Sequence, residues 1–129
     1  MNMIIILLSL LSNFWWFFLD NEYNLKSFKN KSDAENLLKK SRNSIDEIDN
    51  ELFNLIYQRT LFAADIARAK DYLGIPIYDK NREDAIHVKV KKLSEQSGID
   101  SEITDQIVNM LTTLSKNEQN KILRRNVDG

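Results

Sequence analysis

Cysteine is absent from this chain of 129 residues, which excludes a disulfide framework, a thiolate nucleophile and a cysteine-ligated zinc. A single histidine, His87, rules out a multi-histidine metal site, and as an isolated residue it reads as a surface side chain without a role. Three glycines and one proline are too few for a turn-rich β architecture. Neither sign of charge is in excess. The formal net charge is -1, so no overall basic field points to nucleic acid as a partner. There is no GxGxxG, no phosphate-binding glycine loop and no internal repeat.

What is present falls into three regions. Residues 1–19 are strongly apolar, with Ile4-Ile5-Ile6-Leu7-Leu8 followed by Phe14-Trp15-Trp16-Phe17-Phe18-Leu19. Ser9, Ser12 and Asn13 interrupt the run, which is slightly short of the about 20 apolar residues a membrane span requires. It has neither a positively charged start nor a small-residue cleavage site, so it is a poor signal peptide. Three readings remain open: a non-native or dispensable start, a membrane anchor and, least favoured, a cleaved signal. Lys26, Lys29 and Lys31 favour a cytosolic position for the C-terminal side of this segment. A cytoplasmic location is therefore expected, with membrane attachment only through Met1 to Leu19. Residues 20–40 are polar and mixed in charge and read as a linker.

From Ser41 the pattern is helical throughout and predicts three helices. The first runs to Leu73, where Gly74 supplies a stop and Pro76 prevents continuation. The second starts near Asp79, a capping residue, buries Ile86, Val90 and Leu93, and ends at Gly98. The third starts after Asp100 or Ser101, carries Ile103, Ile107, Met110, Leu111 and Leu114, and continues past Ile122. A helix from Ser41 to Leu73 is about 50 Å long at 1.5 Å per residue. A three-helix monomer of this size cannot cover such a rod, so a two-fold partner is expected.

One charge breaks this pattern. Ile45, Ile48, Leu52, Leu55, Phe62, Ile66, Ala69 and Leu73 recur at alternating steps of three and four. Arg59 occupies the position between Leu55 and Phe62 where the stripe continues. An unpaired guanidinium on a buried seam is costly, and no acidic residue shares the stripe, so an anionic ligand is expected to meet it. Lys70 lies eleven positions on, roughly three turns, and looks into the same cleft. Ser115 and Gln119 are four apart in the row begun by Leu111. Asp79, Arg82 and Glu83 place three charges within one turn. Singly, each has an ordinary explanation. Arg59 can snorkel, Lys70, Arg82 and Glu83 can be solvated charges, Asp79 can be a helix cap, and Ser115 and Gln119 can flank a core. Their joint spacing is what carries information.

From Ser41 to about Leu123, roughly two thirds of the chain, the sequence resembles the all-helical class of chorismate mutases. The resemblance rests on Arg42-x-x-Ile45-x-x-Ile48-Asp49-x-x-Leu52, Leu55-Ile56-x-x-Arg59 and Ala67-x-Ala69-Lys70. It continues through Pro76-Ile77-Tyr78-Asp79-x-x-Arg82-Glu83 to Ser115-x-x-x-Gln119. It implies an all-α intertwined homodimer with one long and two shorter helices per subunit, and a mutase domain over residues 41–125. The implied reaction is the [3,3] rearrangement of chorismate to prephenate, on the route to phenylalanine and tyrosine, without cofactor, metal or covalent intermediate.

The resemblance also implies roles. Arg42 would cross to the partner's site and bind one substrate carboxylate. Arg59, assisted by Ser115, would bind the other. Lys70 and Gln119 would contact the ether oxygen of the breaking bond. Glu83 and the backbone near Asp79 would hold the ring hydroxyl, and Arg82 would complete a cationic wall. An isochorismate-pyruvate lyase of the same fold, or a non-catalytic helical dimerisation module, are the alternative readings. The Asp79, Arg82 and Glu83 set favours the mutase.

Overall fold

A computed structural model of the chain describes residues 28–127. The apolar segment Met1 to Leu19, with its dispensable-start, anchor and cleaved-signal readings, lies outside the described residues. Among the described residues every regular element is a helix: α1 Lys31–Leu61, α2 Ala63–Leu73, α3 Lys80–Ser97 and α4 Ser101–Val127. No helix among them is long and apolar enough to cross a membrane.

Helix α1 starts ten residues before the periodicity predicts. Asn30 accepts a hydrogen bond from the Asp33 N–H at 2.9 Å, a side-chain cap that opens the helix inside the expected linker. Between α1 and α2 the chain does not leave helical geometry. Phe62 has φ -66° and ψ -15°, and its N–H donates to the Arg59 carbonyl at 3.3 Å, three residues back. The Ile66 N–H then returns to Phe62 at 3.0 Å. The predicted long first helix is thus α1 and α2 joined by one tightened turn.

The stops and starts obey their residues. Gly74 and Gly98 end α2 and α3 in the left-handed conformation at φ 67° and 69°. Asp79 caps α3 by accepting from the Arg82 N–H at 3.0 Å. Asp100 opens α4 by accepting from Glu102 and Ile103 N–H groups at 2.9 and 3.2 Å. Replacing Asp100 with alanine is expected to cost about 1 kcal/mol of stability, the usual worth of such a cap. Urea unfolding measures it, and an unchanged midpoint would show that the start of α4 is held by other contacts.

The chain divides into two units after Ile48, within α1. In the first, residues 28–48 are exposed except for half-buried Ala34. In the second, α4 packs against both α2 and α3. The faces that meet there differ from the predicted ones. Ala63 and Ala67 are fully buried on α2, and Val108 and Thr112 are buried on α4. Ser94 of α3, also buried, shares a hydroxyl hydrogen bond of 2.6 Å with Thr104. The predicted stripe Leu52, Leu55, Phe62, Ile66 and Leu73 is instead exposed, as are Leu93, Ile103, Ile107, Met110 and Leu114. Small and polar residues fill the face where helices approach closely, and the large apolar side chains point elsewhere. Arg59 consequently belongs to the row Arg59-Ala63-Ala67-Lys70, at steps of four, four and three, which faces α4. His87 is half-buried and paired with Asp105 across α3 and α4, so it is not the isolated surface residue expected.

Candidate functional site

The row Arg59-Ala63-Ala67-Lys70 explains how two cations come to line one cavity. The alanines bring α2 close to α4, and the long side chains at either end of the pair reach past them. The cavity has a volume of about 490 Å³. Arg59, Lys70, Asp79, Arg82, Glu83, Ser115 and Gln119 all line it, seven of the eight residues singled out from the sequence. Phe62, Ile66, Ile77 and Ile86 supply apolar walls, and Thr112 and Lys116 complete the lining. Arg42, the eighth, is exposed on α1 and is not among the lining residues.

Hydrogen bonds fix the orientation of the polar groups. The Arg59 Nη1 group donates to the Leu111 carbonyl at 3.1 Å. Among the described residues no carboxylate pairs with Arg59, so four of its five N–H groups are not spent on that bond. The Lys70 ammonium donates to the Ile77 carbonyl and, at 3.2 Å, to Gln119 Oε1. Gln119, only 3% exposed, donates in turn from Nε2 to Ser115 Oγ at 3.1 Å. An ammonium has three N–H groups and an amide has two. Lys70 and Gln119 therefore each keep one donor beyond this network.

The charges are unequal. Arg59, Lys70, Arg82 and Lys116 face Asp79 and Glu83. Lys116 pairs with Glu83 at 2.8 Å, and Asp79 is committed to capping α3. What remains is a positive surplus on Arg59, Lys70 and Arg82, suited to a small dianion and above all to carboxylates, which match a guanidinium fork. Beside the site, exposed Lys80 donates to Asp84 at 2.5 Å, and that hydrogen bond with the carboxylate's charge holds its ammonium above the ordinary lysine range.

Residues 41–120 match the family described as chorismate mutase type II. The chain belongs to that family. It is also 39% identical over 84 residues to the chorismate mutase of Methanocaldococcus jannaschii, an alignment covering 65% of this chain and 80% of that protein. A type II chorismate mutase is an isomerase that acts on chorismate, and this chain is an enzyme of that class. The match spans every residue that lines the cavity, so the cationic cleft formed by the end of α1 with α2, α3 and α4 lies inside the family domain.

Sequence reasoning misses Lys116 and the apolar walls. Lys116 comes directly after Ser115, and a lysine beside an apolar face reads as solvated. Its signal is the partner, since Glu83 needs a cation and Lys80, three residues before it in the same helix, is taken up by Asp84. Tyr78 adds a second contact, its ring centroid lying 5.0 Å from the Lys116 ammonium.

Proposed function

We propose that the cavity lined by Arg59, Lys70 and Gln119 is where chorismate rearranges to prephenate, the precursor of phenylalanine and tyrosine. Arg59 grips one carboxylate through its guanidinium fork, with Ser115 beside it. Arg42 of the partner subunit grips the other. Held at both ends, the substrate is confined to the chair-like shape in which the reacting carbons meet, an orientation effect. The ether C–O bond breaks as the new C–C bond forms, and no proton changes hands. Negative charge grows on the ether oxygen in the transition state, where the remaining donors of Lys70 and Gln119 meet it. They stabilise the transition state more than the ground state because that charge is largest there. Glu83 and the Asp79 backbone hold the ring hydroxyl, and Arg82 completes the cationic wall.

The observation that carries this reading is the pairing of Lys70 and Gln119 at 3.2 Å in a cavity that also holds Arg59. The direct test is conversion of chorismate by the purified chain, with isochorismate as the parallel substrate. Saturable formation of prephenate is the expected result. Release of pyruvate from isochorismate, with chorismate untouched, would move the assignment to a lyase.

The same reading includes an intertwined homodimer. Its support is the exposed apolar row Ile45, Ile48, Leu52 and Leu55 of α1, together with the smallness of the apolar interior. A contiguous exposed apolar row of this kind is what a second subunit would cover. Subunit mixing tests the crossing of Arg42. Arg42→Ala and Arg59→Ala chains are each expected to be inactive alone. In a mixed dimer one site keeps both arginines, so random reassociation restores about a quarter of the sites. No recovery, with mixed dimers demonstrated, would place Arg42 in its own subunit's site or outside it. A cytoplasmic location goes with this reading, supported by the lysines after the apolar segment, which keep the catalytic domain on the cytosolic side.

A further inference from the structure

We propose that Lys116 is a positioning residue of this site, holding the Glu83 carboxylate so that it accepts the ring hydroxyl and stays off the cations that bind the substrate. The proposal rests on the reading of Glu83 as the hydroxyl acceptor. Lys116 itself has been assigned no role by the spacing of the family pattern.

Two contacts and a shared location converge. Lys116 Nζ lies 2.8 Å from Glu83 Oε1, with the two side chains 28% and 19% exposed. The same ammonium sits 5.0 Å from the centroid of the Tyr78 ring, in the loop that precedes α3. Lys116 and Glu83 both line the cavity. Lys116 thereby links α4, the first turn of α3 and the loop between α2 and α3. A partly exposed ion pair is ordinarily weak because water screens it. Here its consequence is local. The bridge engages Oε1, and an ionised carboxylate keeps its second oxygen as an acceptor.

Without Lys116, Glu83 becomes an unpaired, mostly buried carboxylate in a cavity with three other cations. It is then drawn toward Lys70, Arg59 or Arg82 and competes with the carboxylates of the substrate. Such competition weakens binding more than it slows the chemical step. It also depends on the charge of Glu83, which a purely structural lysine would not.

Steady-state kinetics of the full chain on chorismate, for the wild type, Lys116→Met, Lys116→Arg, Glu83→Gln and the double variant, test the idea. Lys116→Met is expected to raise KM about tenfold with kcat changed less than about threefold, the signature of lost ground-state binding. Lys116→Arg, which keeps the pair, is expected to retain most of kcat/KM. With glutamine at position 83, Lys116→Met is expected to add less than about threefold, because residues acting through one another are not additive. An undiminished tenfold effect in the Glu83→Gln background overturns the proposal, since Lys116 then touches substrate or supports the fold directly. Kinetics of Lys116→Met indistinguishable from wild type overturn it too. If melting shows Lys116→Met to be unfolded, Lys116→Gln carries the same comparison. Failure of the underlying reading looks different, because Glu83→Ala alone then leaves kcat/KM for chorismate unchanged in a wild-type background.

Discussion

Replacing Arg59 with alanine is expected to lower kcat/KM for chorismate about 10³-fold, the usual cost of truncating a buried charge that grips a charged partner. It is expected to leave the melting temperature unchanged or higher. The two halves of this expectation come from the same geometry. Arg59 is half-buried, and among the described residues it meets no carboxylate; its one hydrogen bond runs to the Leu111 carbonyl at 3.1 Å. That carbonyl belongs to the interior of α4 and keeps its place in the helix ladder when the guanidinium is gone. Truncation therefore removes an uncompensated positive charge and orphans no acceptor. A structural ion pair behaves in the opposite way, since breaking it leaves a buried charge behind. Calorimetry and kinetics on the same preparation separate the cases. Activity lost together with a large drop in melting temperature would make Arg59 a structural residue and remove the main support for the substrate-binding role. Arg59→Lys is expected to recover only part of the loss, because an ammonium supplies a point charge without the paired hydrogen bonds of the fork.

Much of this molecule is legible in its residues. Gly74 and Gly98 end helices because each adopts a positive φ that other residues resist, and Asp79 and Asp100 begin them because their carboxylates accept the first free N–H groups. Both signals are local, so they need no knowledge of what packs where. The start of α1 is less visible. Ala34, Leu37 and Leu38 are too few to set up a period, and a helix without a packed face leaves little trace in the hydropathy pattern.

The packing faces differ from the predicted ones for another reason. Periodicity locates the apolar side of a helix but is silent on which neighbour covers it. Leu55 and Phe62 are 60% and 63% exposed within the chain, whereas Ala63 and Ala67 are fully buried. Alanine at a close helix crossing carries little hydropathy weight, so the inner face hides from a pattern search. The exposed face is the one a second subunit would cover, and that surplus is what makes a dimer expected. Arg59 stands out because it interrupts the apolar row, although its side chain works from the alanine side. Lys116 cannot be found that way, because nothing in its own helix marks it. Its role emerges only when α3 and the Tyr78 loop are placed around it.

Gln119→Glu is expected to convert a pH-independent enzyme into one that works only in acid. In the wild type, Gln119 accepts from Lys70 through Oε1 at 3.2 Å and donates to Ser115 through Nε2 at 3.1 Å. An amide does not ionise, and no histidine lines the cavity. The wild-type rate is therefore expected to be nearly flat between about pH 5 and 8, above the ordinary carboxylate range and below that of lysine. A carboxylate at position 119 fits the same space, because the Lys70 ammonium and the Ser115 hydroxyl can both donate to it. On the proposed reading, what it lacks is a donor for the ether oxygen, and its charge opposes the charge that grows there. At pH 7 to 8 the variant is expected to lose about 10²- to 10³-fold in kcat, the usual effect of one such donor. Protonation restores an O–H donor. Activity is thus present below the pKa of the introduced glutamate and lost as the pH rises through it. Burial at this 3% exposed position pushes that pKa up, while the neighbouring Lys70 ammonium pulls it down. Gln119→Leu supplies the control, with no donor at any pH and a profile that is low and flat. If Gln119→Glu gives an equally flat profile, the residue serves packing, and the ether oxygen must find its second donor elsewhere.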